Sequence, residues 1–194
     1  MTTDILVLQQ LGAVKLEQAM EEARTVVLMR CKLVLDQGGR REPQPGFVQT
    51  WWRSRVSAEV SVMLVVDDAL PCAWVEVTDS DDAQRVCMVA ALKDHLSVVP
   101  PRQLAVNASA WPPKKGALAA LAISRDSSER ETLVEAVRRA LRDGSPEVKV
   151  EAAFATATAG LGQLRDELRH AKTSEPPGAA RDAIARALDL LSRA

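Results

Sequence analysis

Ala117-Leu118-Ala119-Ala120-Leu121-Ala122-Ile123 is apolar at every position. A short run with no polar face fits a strand buried in the middle of a sheet. Pro112-Pro113-Lys114-Lys115-Gly116 precedes it and reads as a hairpin turn. Before that turn, Leu104, Val106 and Ala108 alternate with Ala105, Asn107 and Ser109, so 103–111 is expected to be the partner strand.

On the C-terminal side, Ser128 and Glu131 have capping-box spacing. Leu133, Val134, Val137, Ala140 and Leu141 then form one apolar stripe, and Gly144 with Pro146 ends the helix. Residues 148–155 alternate again, Val148, Val150, Ala152 and Phe154 against Lys149, Glu151 and Ala153. On the N-terminal side, 73–78 alternates as a short strand. Ser80 and Asp81 open a helix to about Leu96, with Val86, Val89, Leu92 and Leu96 inward, and Pro100-Pro101 closes it. The order is βαββαβ over about 73–157, the split βαβ arrangement of the ferredoxin-like superfold within an α+β class.

Residues 1–70 read as an N-terminal helix-and-hairpin extension. Asp4 caps a helix running to about Arg24, and 25–35 alternates as a strand would, although the same residues could extend the helix. The glycines and prolines of 37–46 mark a loop, and 58–66 is a strand. Leucine stripes mark two C-terminal helices, around 161–168 and 184–191. The expected organisation is one α+β domain over 1–157 and a two-helix tail over 158–194.

The chain has 194 residues, nearly half of them apolar, with a formal net charge of −1. Such a charge supplies no global pull toward nucleic acid or acidic membrane. Arginine outnumbers lysine and alanine is abundant, which reads as coding from a GC-rich bacterial genome. Cys31, Cys72 and Cys87 lie in apolar settings without a Cys-x-x-Cys pair, so buried thiols in a reducing compartment are expected. No basic region precedes the first apolar residues and no run reaches a membrane span. A cytoplasmic protein is the expectation.

Little of the sequence points to chemistry. Cys72 and His95 are the obvious nucleophile and base, yet no flanking signature joins them. Asp67, Asp68, Asp79, Asp81 and Asp82 lack the spacing of a calcium loop. Neither a phosphate loop nor a hydrolase elbow occurs. No catalytic residue, metal or cofactor is assigned.

The remaining candidates are binding residues. Trp51-Trp52-Arg53-Ser54-Arg55 combines the residue types that dominate binding hot spots. On an extended chain its two indoles face opposite ways, so one must find cover outside a single core layer. Trp51, Trp52, Arg53 and Arg55 are therefore the expected partner-binding residues. Arg40, Arg41, Lys114 and Lys115 are the cations available to phosphates in an alternative nucleic-acid reading. A small-ligand domain is a further alternative, with a pocket expected among Trp74, Asn107 and Ser109. The leading expectation is a non-catalytic bacterial adaptor or accessory subunit that contacts a protein partner or a second copy of itself.

Overall fold

The computed structural model describes residues 2–9 and 11–193. The chain divides into two compact units, Met1–Val99 and Pro100–Ala194. The first unit is α+β and the second is helical among its described residues.

The first unit contains β1 (Thr2–Leu8), α1 (Ala13–Cys31), β2 (Leu35–Gln44), β3 (Phe47–Ser54), β4 (Ser61–Asp67), β5 (Cys72–Asp79) and α2 (Asp82–His95). The strands make one sheet in the order β1-β5-β4-β3-β2, with every neighbouring pair antiparallel. This strand order and count differ from a ferredoxin-like core. Leu6 and Leu8 from β1, Trp52 and Val62 from the middle strands, and Val75 and Val77 from β5 pack in one core with Leu16, Met20 and Val27 of α1 and Met88 and Leu92 of α2.

Three expectations for residues 1–70 change. Ile5 to Leu8 do not begin a helix; they pair with β5 as an edge strand, and the helix starts after Gly12, whose φ is +80°. Residues 25–31 continue that helix because Leu16, Met20, Ala23 and Val27 bury one stripe. Met29, which fitted the alternation, is 61% exposed. Lys32 then ends α1 in the left-handed conformation, its N–H donating to the Leu28 carbonyl at 3.1 Å. Finally, 37–44 is bulged edge strand rather than loop, and Gly46, at φ +78°, makes the turn into β3.

Downstream, β4, β5 and α2 fall close to where periodicity places them. Asp81 caps α2, accepting from the amides of Ala83 at 2.8 Å and Gln84 at 3.2 Å. The buried stripe of α2 is Met88, Ala91 and Leu92; Val86, expected inward, is exposed.

The second unit contains α3 (Pro101–Ser109), α4 (Ala117–Ser124), α5 (Arg130–Asp143), α6 (Pro146–Thr158), α7 (Arg165–Ser174) and α8 (Ala179–Arg193). The expected strands at 103–111, 117–123 and 148–155 are thus helices. Pro101 opens α3, because a proline at the first helical position has no amide to waste. All seven residues from Ala117 to Ile123 are buried, as befits a short helix enclosed by α3, α5 and α6. Alanine supplies both the propensity and the small radius for such packing. The domain boundary expected at 157 falls inside the last turn of α6.

α5 buries Leu133, Val134, Val137, Ala140 and Leu141, the stripe read from its spacing, and ends at Gly144. Its start differs: Asp126 accepts from the Ser128 amide at 2.9 Å and caps a 3-10 turn over Ser127–Glu129. α8 buries Ile184, Ala187 and Leu191 along its expected stripe, whereas α7 begins only at Arg165, so Leu168 lies in the helix and Leu161 and Leu164 are buried in the turn before it.

Candidate docking face of the sheet

Both helices of the first unit pack on one face of its sheet, and strand alternation decides what the other face presents. Cross-strand register sets out three rows there. Ile5, Glu76, Met63 and Trp51 form the middle row, ending opposite Gly39. Val7, Trp74, Val65, Gln49 and Arg41 form one flank, and Thr3, Thr78, Ser61 and Arg53 the other.

Trp51 and Trp52 separate as adjacent residues of a strand must. Trp52 is fully buried on the helix side, while Trp51 is half-buried on the opposite face. The Trp51 indole lies along β2 where Gly38 and Gly39 leave room. A Cβ at Gly38 would stand 2.6 Å from the indole, and one at Gly39 2.7 Å away. The two glycines that look like loop breakers are therefore the seat of an aromatic ring. The Arg41 guanidinium is 5.9 Å from the ring centroid, within cation–π range. Trp74, also half-buried, donates from Nε1 to Glu76 Oε1 at 2.9 Å. A depression of about 230 Å³ opens among Arg41, Trp51, Arg53, Met63 and Glu76.

The other expected binding residues are spread differently. Arg53 is exposed on the same face as Trp51. Arg55 makes a two-pronged pair with Asp36, at 2.7 and 2.8 Å, which holds that carboxyl below its ordinary range through the hydrogen bond from Arg55. Arg40 turns to the helix side and meets Glu17 at 3.0 Å. Lys114 and Lys115 are exposed in the second unit, so the four expected phosphate contacts are divided between units. Near these lysines in sequence, exposed Trp111 carries the Arg139 guanidinium 4.3 Å from its ring centroid. The ligand pocket expected among Trp74, Asn107 and Ser109 required 103–111 to be a strand. In α3, Asn107 instead accepts from Gln103 at 3.2 Å.

The candidate chemistry is also dispersed. Cys72 shares its side of β5 with Trp74, whereas His95 ends α2 on the helix side, 3.6 Å from Glu22. The sheet stands between them. Asp67 accepts from the amides of Ala69 and Leu70 in a turn, and Asp79 accepts from that of Asp81. Among the described residues no group of acidic, histidine or cysteine side chains is arranged to hold a metal. No described helix is long and apolar enough to cross a membrane.

Cys31 and Cys87 are joined in a disulfide between α1 and α2, across 56 residues of sequence. This corrects the expectation of unpaired thiols and removes its support for a reducing compartment. No signal in the sequence marks the pair, because only the packing of the two helices makes these cysteines neighbours.

No known protein family, curated protein or solved structure matches this chain.

Proposed function

We propose that the chain is a non-catalytic bacterial adaptor or accessory subunit that binds a polypeptide on the sheet face carrying Trp51, Met63 and Trp74. One observation carries the reading: both helices of the first unit pack on one face of its sheet, and the opposite face holds two half-buried tryptophans, of which Trp51 lines a depression. Tryptophan with neighbouring arginine is the composition that gives binding energy at interfaces. The apolar area of Trp51 and Met63 beside the charged groups of Arg41, Arg53 and Glu76 also suits an interface.

The test is site-specific photo-cross-linking in the source cells. A photoreactive residue at Met63 is expected to capture a polypeptide, and Trp51→Ala to abolish that adduct. The same residue at Val86, exposed on α2, serves as the control. Absence of an adduct at Met63, or an adduct indifferent to Trp51→Ala, overturns the proposal.

The accessory nucleic-acid reading keeps one specific support, the exposed Trp111 under Arg139 near Lys114 and Lys115. It requires affinity for single-stranded nucleic acid that falls with salt and is lost in Lys114→Glu/Lys115→Glu.

A further inference from the structure

The arginines of the first unit show what the Trp51 face is built to receive. Arg24, Arg30, Arg40, Arg55 and Arg85 each pair with a carboxylate: Glu21, Asp94, Glu17, Asp36 and Asp4 respectively. Arg41 and Arg53 do not. Arg41 gives its Nε to the neutral Gln49 amide, and Arg53 makes no ion pair among the described residues. This unit holds ten basic and fourteen acidic residues, so acceptors are plentiful elsewhere. These two guanidiniums, which form no ion pair among the described residues, both line the Trp51 depression, where Glu76 gives its carboxylate to Trp74 and Asp36, opposite Arg53, gives its own to Arg55.

Their spacing is specific. Arg53 lies two residues beyond Trp51 on β3, and Arg41 is paired with Gln49, two residues before it. At roughly 3.3 Å per residue, the backbone positions of Arg53 and of Gln49, opposite Arg41, stand about 13 Å apart along β3, with Trp51 midway. An extended segment with acids two residues before and after an apolar anchor has the same separation. Trp51 and Met63 give the depression apolar contact area for one anchoring side chain.

Resting on the docking reading above, we infer that the occupant is an extended, acidic partner segment of the form acid-x-apolar-x-acid. Its anchor enters beside Trp51 and Met63, and its carboxylates meet Arg41 and Arg53. Because the unit is acidic overall, general electrostatics oppose such a segment, and the two local pairs must supply the selectivity.

The experiment titrates the full chain with three capped, fluorescein-labelled peptides at low salt, read by anisotropy. Their central sequences are Glu-Ser-Phe-Ser-Glu, Lys-Ser-Phe-Ser-Lys and Glu-Ser-Ser-Ser-Glu. The first is expected to bind at least ten-fold more tightly than either other. Arg41→Glu/Arg53→Glu should invert the order of the two phenylalanine peptides, with circular dichroism verifying the fold. Equal affinities, preference for the lysine peptide, or no binding by any peptide overturns the inference. A Met63 adduct of twice the chain's own mass identifies a second copy as occupant and overturns it as well. If Met63 captures a different polypeptide but the peptide order is absent, docking stands and only the acidic motif falls. If Met63 captures nothing, the docking reading itself has failed.

Discussion

The indole of Trp52 donates from Nε1 to Glu21 Oε1 at 2.9 Å, tying the middle of β3 to the middle of α1. Trp52 has no exposed surface, so this bond satisfies its one polar atom inside the core. Its neighbour Trp51 lies against Gly38 and Gly39 of β2 and beneath Arg41 on the opposite face. One pair of adjacent residues thus reaches both faces of the sheet, Trp52 into the core under the helices and Trp51 onto the opposite face.

That division predicts unequal costs for equal mutations. Trp52→Ala should lower unfolding stability by about 3–5 kcal/mol, the range for deleting a buried tryptophan side chain. Trp51→Ala should cost less than about 1.5 kcal/mol, within the range of ordinary point mutations. Urea unfolding of both variants gives the comparison, and equal losses would place Trp51 in the core.

A second prediction concerns the buried carboxylate of Glu151. Oε1 accepts from the amides of Leu118 at 2.7 Å and Ala119 at 3.2 Å, and Oε2 from that of Gly116 at 3.0 Å. Gly116 has no side chain with which to cap α4, so α6 supplies the cap from across the unit. Glu151→Ala would leave these buried donors unpaired and should cost about 2–4 kcal/mol. Glu151→Gln keeps an acceptor and should cost less. Chemical denaturation of the two variants decides, and a neutral Glu151→Ala would remove the capping role.

The third prediction is chemical. With Cys31 bonded to Cys87, the unfolded, unreduced chain should titrate one thiol with Ellman's reagent, and three after reduction. Closing a loop across 56 residues restricts the unfolded chain, so reduction should lower stability by about 2–4 kcal/mol. Cys31→Ser/Cys87→Ser should reproduce that loss and be indifferent to reductant.

The fourth is a titration. Asp36, hydrogen-bonded by Arg55, should titrate below the ordinary aspartate range, and Arg55→Ala should bring it back. Because the folded value is depressed, the pair's contribution is present above the unfolded pKa and is lost as pH falls through the folded one. Carboxyl carbon shifts followed by NMR from pH 6 to 2 measure both midpoints.

Much of the architecture was legible wherever a sequence period was unambiguous. α2, α5, α7 and α8 each carry charged residues outside an apolar stripe, and only a helix buries such a stripe. β4 and β5 carry the alternation of strands, and β5 excludes helix with Val75, Val77 and Trp74 in close succession. The opposite facing of Trp51 and Trp52 follows from covalent geometry once the segment is extended.

Elsewhere the period was absent or double. In 117–123 every residue is apolar, so a buried helix and a central strand satisfy the same pattern; enclosure by α3, α5 and α6 decides for helix. In 148–155 alternation suggested a strand, yet Glu151, Ala152, Ala153 and Ala155 are all buried, which a one-faced strand would not allow. The Cys31–Cys87 bond, the Glu151 cap on α4 and the Gly38-Gly39 seat for Trp51 join residues far apart in sequence or on different strands. Residue pattern alone carried local periodicity, the Asp81-capped start of α2 and the opposite facing of Trp51 and Trp52, because these depend on bond geometry and nearest neighbours. Tertiary structure decided every long-range pairing, because only packing brings those partners together; in the alanine-rich segments it acted with alanine's helix propensity, which the apolar run and the alternation had masked.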